Sequence, residues 1–394
     1  MKILLLAPHP FYQERGTPIA VDLLLRILAG RGCAIDVVTF HEGENRSYKG
    51  VTIYRTPRFS WINNVPPGFS WKKIVCDIFL FIKALRLAAR NKYQIVHAVE
   101  EAAFCAMIIR LLFRVPYIFD MDSSMPMQMI ERTPALSVAA PALKFFEAWA
   151  ARRAFAVVAV CEALAEIARA CGARQVFVLR DISLLASGYA PPAAGKEKEE
   201  QRLDVEKPCL MYIGNLESYQ GIDLLLESFA RLIESMPQAF LAIIGGKEGL
   251  IRKYQQKSSA LGIASRVRFF GPRPLASMAQ MFTQADMLVS PRIKGANTPM
   301  KIYSYLQSGK PVLATDLPTH TQVLDRTTAM LAEPTPDKFA AAMLTLLKNP
   351  ALGRQLAEHA TALAEVKYSL KAYTDTAEKI YSRIESDLTE QMPQ

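Results

Sequence analysis

Two cations in one short segment are the residues of this chain best placed to do chemistry: Arg292 and Lys301, in SPRIKGANTPMKIYSYLQSGKPVLAT (290–315). The segment reads as a strand, a polar loop, Asn297 or Thr298 as N-cap and Pro299 at the first helical position. A helix follows, ended by Gly309 before a new strand. Lys301 then falls in the first helical turn, where the positive end of the helix dipole disfavours a cation unless an anion is near. With Arg292 on the preceding loop, the pair outlines a diphosphate site; an exposed basic loop is the plainer alternative. Ser304, roughly a turn and a half further in, could offer its hydroxyl to a sugar. A second turn, MYIGNLESYQGIDLLL, sets Gly214, Asn215, Gln220 and Gly221 between a strand and a helix. These could serve a phosphate or a ribose, or simply make a tight turn.

The first half offers a different chemistry. In APHPFYQERGTPIA, Arg15 and Gly16 lie in a loop and Thr17 and Pro18 open a helix, so Gly16 and Thr17 could let a ligand approach the backbone. IVHAVEE ends a strand with His97, Glu100 and Glu101, and PYIFDMDSSMP ends another with Asp120, Asp122, Ser123 and Ser124. Carboxylates there can hold sugar hydroxyls or move protons, which makes Asp122, His97 and Glu100 the catalytic candidates. A lone histidine at a strand end is, even so, more often a hydrogen-bonded core residue. No cluster has convincing metal-ligand spacing, and the DMD run could hold a cation only weakly, so neither metal nor cofactor is expected.

Short apolar runs separated by longer periodic segments must position these residues. KILLLA, AIDVVTF, QIVHAV, PYIFD, AFAVVAV and QVFVLR occupy the first half, and CLMYIG, AFLAIIGG, SRVRFFG, ADMLVSP and GKPVLAT the second. Such spacing predicts parallel strands joined by crossover helices, an α/β doubly wound fold made twice. At 394 residues the chain exceeds one ordinary core. Paired prolines, small residues and a charge run mark 186–207 as the linker, between a domain over 1–185 and another over 208–367. Two such domains facing each other leave a cleft at the carboxyl ends of their strands, where helix N-termini favour anionic ligands.

The formal charge is +10, and residues 1–186 hold 23 Lys and Arg against 15 Asp and Glu. A basic first half attracts anionic lipid, nucleic acid or a phosphorylated acceptor. No compact basic run interleaved with aromatics favours nucleic acid. The stretch WKKIVCDIFLFIKALRLAARNK (71–92) is amphipathic and basic. It reads first as a crossover helix with a solvated basic face and second as a peripheral membrane contact; charge interrupts it too often for a span. Six cysteines without CxxC spacing, and an apolar start too short for a signal peptide and broken by Pro8 and Pro10, lead to the expectation of a cytoplasmic protein, peripheral at most on the inner face of a membrane.

The chain resembles the retaining GT-B glycosyltransferases of family 4. The likeness rests on the N-terminal MKILLLAPHPFYQERGTPIAVDLLLRILAGRGCAIDVVTF, on YIGNLESYQGIDLLLESFARL, on ADMLVSPR with NTPMKIYSYLQSGKPVLATD, and on KYSLKAYTDTAEKIYSRI, which matches a helix that returns to the N-terminal domain (about 368–394 here). The resemblance implies a nucleotide-sugar donor held mainly by the second domain and a glycan or lipid-linked acceptor held mainly by the first. It also implies retention of configuration without a metal. Family members commonly carry Arg and Lys where this chain has Asn215 and Gln220. Their paired glutamates fall on Ala296 and Ser304, their PNG turn reads Leu179 to Asp181, and Asp122 and Val99 replace two usual histidines. Arg292, Lys301 and the helix N-terminus are then expected to take over the lost contacts. The alternatives are a catalytically degenerate relative acting as a binding or regulatory partner, and a nucleotide-sugar epimerase, which the missing carboxylate at Ser304 disfavours.

Overall fold

In a computed structural model, residues 1–66, 68, 70–132, 134–185 and 203–391 are described; most of the expected linker, 186–202, lies outside them. The chain forms two units, Met1–Arg180 with Thr374–Gln394, and Asp181–Tyr373.

The first unit contains a seven-stranded sheet of β1 (Lys2–Ala7), β2 (Ala34–Thr39), β3 (Val51–Arg55), β4 (Ile95–Val99), β5 (Tyr117–Met121), β6 (Ala156–Ala159) and β7 (Val176–Val178). The order is β3-β2-β1-β4-β5-β6-β7, and every pairing is parallel. Strand β3 escapes the sequence pattern because it is an edge strand with mostly half-buried residues and polar interruptions. The central strands are apolar throughout, because helices cover both faces of a parallel sheet. On one of those helices, Trp71–Arg90, Cys76, Leu80, Ala84 and Ala88 form the buried stripe. Three small residues and one leucine at four-residue spacing let the helix lie close to the strands.

The second unit repeats the scheme with β8 (Cys209–Ile213), β9 (Phe240–Ile244), β10 (Val267–Gly271), β11 (Met287–Ser290), β12 (Val312–Thr315) and β13 (Met330–Ala332), in the order β10-β9-β8-β11-β12-β13, again all parallel. At three residues, β13 is too short to register as an apolar run. Both sheets reverse direction beside their first strand, between β1 and β4 and between β8 and β11. Loops leaving those strands diverge there and open a crevice at their carboxyl ends, where doubly wound folds bind ligands.

The helix Leu370–Gln391 runs mostly within the first unit although it follows the second in sequence. Its Tyr381 hydroxyl lies 3.1 Å from His97 Nδ1, and its Asp387 accepts from Gln175 Nε2 at 2.9 Å. Glu385 meets Arg31 at 3.3 Å and the amino terminus at 3.7 Å. Ala377, Tyr381 and Ile384 are fully buried. Replacing Ile384 with Ala is therefore expected to cost about 2–5 kcal/mol in the unfolding of the first unit and to leave the transition of the second in place, as read by urea denaturation with probes in each unit.

Candidate functional site

At the crevice of the second unit, Lys301 begins the helix Lys301–Gln307. Its Nζ sits 3.9 Å from the centre of the Tyr212 ring and 3.3 Å from Gln220 Oε1. It also lies 3.3 Å from where a Cβ on Gly214 would stand. Burial holds its pKa well below the ordinary ammonium value, and the Arg292 charge lowers it further. Among the described residues no carboxylate is paired with it: a ring face and an amide oxygen solvate the charge in part, and an anion would solvate it better.

Arg292 is buried on the loop after β11. Its Nε donates to the Lys294 carbonyl at 2.6 Å and its Nη2 to Asn297 Oδ1 at 2.8 Å, while the guanidinium faces the Tyr219 ring at 5.3 Å. Gly295 permits this curl. Its φ of +111° suits glycine alone, and a Cβ there would stand 2.0 Å from Arg292 Nη2. Three outside side chains hold the loop by its carbonyls: Thr315 Oγ1 donates to Arg292 O at 2.5 Å, Thr319 Oγ1 to Asn297 O at 2.8 Å and Gln322 Nε2 to Ala296 O at 2.7 Å. Beneath lies His320, bonded to Ser290 at 2.9 Å and to Thr315 at 2.9 Å. Burial lowers its pKa to about 3, with help from Lys301 and Arg292, so it is a neutral strut. The loop is shaped before any ligand arrives.

The helix start differs from the expectation drawn from sequence. Neither Asn297 nor Thr298 caps it, and Pro299 precedes it; Met300 holds the N-cap position with no side-chain cap. The reason is competition: Asn297 Oδ1 is taken by Arg292, and the first turn closes tightly, from Ile302 N–H to Pro299 O at 2.9 Å. Thr298 Oγ1 is buried and has no hydrogen-bond partner. Ser304 also departs from expectation. It is fully buried, and its hydroxyl accepts from Leu184 N–H at 3.0 Å, so it serves the interior of this unit.

On the adjoining loop, Asn215 accepts from Glu217 N–H at 3.1 Å and its carbonyl accepts from Tyr212 OH at 2.6 Å, a self-bonded turn. Gln220 is buried against Lys301, and Gly221 is where the two loops touch: a Cβ would fall 1.9 Å from Pro291 O. Gly214, Gln220, Gly221, Arg292, Asn297 and Lys301 are thus brought together. Tyr212, Tyr219, Gly295, Thr315, Thr319 and Gln322 join them without having been singled out from sequence. A tyrosine next to last in a strand, two residues before a glycine, was the one available signal.

The first unit's crevice is carboxylate-rich. Lys73 pairs with Glu101. Burial opposes its charge, yet Glu101, Glu100 and Asp77 outweigh burial and raise its pKa. Asp77 is driven by burial, then by Glu101, up to about 8, with Lys73 pulling the other way. Glu100, at φ +48°, is raised by burial and by Glu101, and accepts from Ser123 Oγ at 2.8 Å. Arg15, next to the Gly16 that starts its helix, feels Glu42 and Glu100. A Cβ on Gly16 would meet nothing, so no protein contact requires glycine there, and Thr17 follows it in the helix. Asp122 sits at the end of β5, half-buried. His97 is not at this surface: it is fully buried, with Nε2 2.9 Å from Asp120 and Nδ1 against Tyr381, so its ring links a strand to the terminal helix. His9, missed from sequence, lies in the loop after β1. Burial lowers its pKa to about 3, and its buried Nε2 has no partner. Among the described residues, no three His, Cys, Asp or Glu side chains are placed to hold a metal ion.

Residues 15–180 match the glycosyl transferase 4-like domain and residues 207–349 the glycosyl transferases of group 1. The chain is 25% identical over 292 residues to the alpha-D-kanosaminyltransferase of Streptomyces kanamyceticus, a match covering 72% of this chain and 74% of that protein. Among solved structures it is similar to the sucrose-phosphate synthase of Thermosynechococcus elongatus, with a TM-score of 0.80 and 17% identity over 98% of this chain and 99% of the other. It is also similar to Anabaena HepE in complex with UDP, with a TM-score of 0.73 and 18% identity over 97% and 100%. At these identities the structural likenesses speak for the fold.

The elevated carboxyl of Asp77 has a consequence for stability. The native chain keeps that proton up to about pH 8, whereas the unfolded chain releases it near the ordinary value of 3.8. Stability therefore falls as pH rises through that window. Asp77→Asn is expected to flatten the fall and to make the variant more stable than the parent at pH 9, measured by urea unfolding across pH.

Proposed function

The chain belongs to the glycosyl transferases of group 1, GT-B enzymes that use a nucleotide-sugar donor, and from that premise we propose that it transfers the sugar with retention, without a metal, to a glycan or lipid-linked acceptor. One observation carries the reading: a buried lysine with no carboxylate paired to it among the described residues, next to an arginine, on preshaped loops at a topological switch point. The second unit would hold the donor, its diphosphate meeting Lys301 and Arg292, with the Gln220 amide beside them. The UDP complex of the Anabaena relative is consistent with a ligand of this class.

In the proposed step the bond from the sugar's anomeric carbon to the diphosphate oxygen breaks. A bond to the acceptor hydroxyl oxygen forms on the same face, and the hydroxyl proton passes to the leaving phosphate oxygen. The main demand on the protein is to stabilise charge growing on the diphosphate, which preorganised cations do well in a site shielded from water. In this reading Lys301 and Arg292 would supply the positive charge that a metal ion could otherwise bring to the diphosphate. Glu100, Asp122 and Ser123 are the proposed acceptor-side contacts. The degenerate alternative draws on Ser304, whose hydroxyl is turned inward, and on the neutral Asn215 and Gln220.

Calorimetric titration with UDP, GDP and ADP tests this reading. One of them should bind, and Lys301→Met or Arg292→Ala should weaken it about 10- to 100-fold, the magnitude of one charge-assisted hydrogen bond. Gly295→Ala, which displaces the guanidinium, should act in the same direction. Because a diphosphate favours the charged form of a lysine whose pKa burial has lowered, binding should take up a proton and weaken as pH rises. Buffers of different ionisation enthalpy read that uptake, and Lys301→Met should abolish it. Binding of none of the three nucleotides would remove the reading; binding without transfer of sugar would favour the degenerate relative.

A further inference from the structure

All three tryptophans of the chain, Trp61, Trp71 and Trp149, are exposed, by 56%, 55% and 40%. This is unusual for the side chain with the most apolar area to hide. They belong to a pattern. Of the sixteen large apolar side chains exposed among the described residues, fourteen lie in the first unit, and eleven of these stand on three helices: Trp71–Arg90, Ala102–Phe113 and Ala140–Arg153. Those helices connect β3 to β4, β4 to β5 and β5 to β6. Right-handed crossovers put them on one face of the sheet, and each packs on the next. Their outer side is one continuous surface.

On the first helix Trp71, Ile74, Ile78 and Ile82 recur at helical spacing, almost opposite the stripe that packs on the sheet. Trp71 stacks on Trp61 with ring centres 5.8 Å apart and planes 5° from parallel, and Phe59 lies 5.4 Å from Trp61. The second helix shows Ile108, Leu111 and Leu112, and the third Phe145, Phe146 and Trp149. The three helices carry nine Lys and Arg against two acidic residues, Asp77 and Glu147, and Glu147 is buried. At 100° per residue, Lys72, Lys83, Arg86 and Arg90 line one flank of the first helix's apolar stripe. No described helix is long and apolar enough to cross a membrane.

We propose that this outer helical face seats on an anionic lipid bilayer, with the aromatic and aliphatic side chains entering the headgroup boundary and the flanking cations meeting lipid phosphates. Aromatic rings at the wet boundary and a basic rim answer that surface in shape and charge. A protein partner would be matched by apolar complementarity and would not call for this excess of cations. The inference stands apart from the transferase reading, since the exposed apolar side chains and flanking cations it rests on, unlike Lys73 and Asp77 of the same helix, are not among the residues placed in either crevice.

Because every tryptophan lies on the face, intrinsic fluorescence reads docking directly. Adding phosphatidylcholine vesicles that contain phosphatidylglycerol should shift the emission to the blue and carry the protein upward in flotation; phosphatidylcholine alone should do neither. The triple variant Arg86→Ala, Arg90→Ala, Lys144→Ala should bind anionic vesicles on the order of a hundredfold more weakly. Ile78→Glu should lose the blue shift while keeping the parent's melting temperature. An unchanged emission with anionic vesicles overturns the proposal, as does equal binding to both vesicle types. A dimer in solution that Ile78→Glu dissolves would also overturn it, by showing the face to be covered by a second copy.

Discussion

An ammonium group removed from water and given a ring face and an amide oxygen is a costly object, and the second unit is arranged around one. Lys301 lies against Gly214, Tyr212 and Gln220, with Arg292 adding a second positive charge. Loop closeness at Gly221, the curl over Gly295 and the three side chains gripping the loop carbonyls all oppose the relaxation that would let these cations move apart or reach solvent. Such strain is tolerable where an anionic ligand relieves it, and the same rigidity keeps the donors aimed before binding.

The first unit repeats the sheet but inverts the electrostatics. Asp77, Glu100 and Glu101 surround Lys73, and burial keeps part of the cluster protonated near neutrality. Two crevices of one topology thus present opposite chemistries, cations in one and carboxyls in the other. The fold supplies the location, and a few side chains decide what is held there.

Exposure divides the units in a second way. The second unit hides nearly all of its large apolar side chains, whereas the first displays a tryptophan-rich helical layer. The helix Trp71–Arg90 shows how one segment serves both readings its sequence allows. Its stripe of Cys76, Leu80, Ala84 and Ala88 covers the sheet and its isoleucines face outward.

How much was legible depended on the distance over which a feature is decided. Alternating apolar runs and crossover segments determined two doubly wound units, because the strand pattern is local; only the edge strand Val51–Arg55 and the three-residue Met330–Ala332 escaped. Arg292, Lys301 and Gly221 were visible because turn and helix signals lie within a few residues of each other. The roles of Thr315, Thr319, Gln322, Tyr212 and Asp77 were not, since each acts on a residue distant in sequence through a contact that only folding creates. The same reason explains His97 and Ser304. Sequence shows a polar residue at a strand end or in a helix, but whether it faces a ligand or the interior depends on what packs beside it. Here Tyr381 and the Leu184 amide decided that, one from the far end of the chain and the other about 120 residues away.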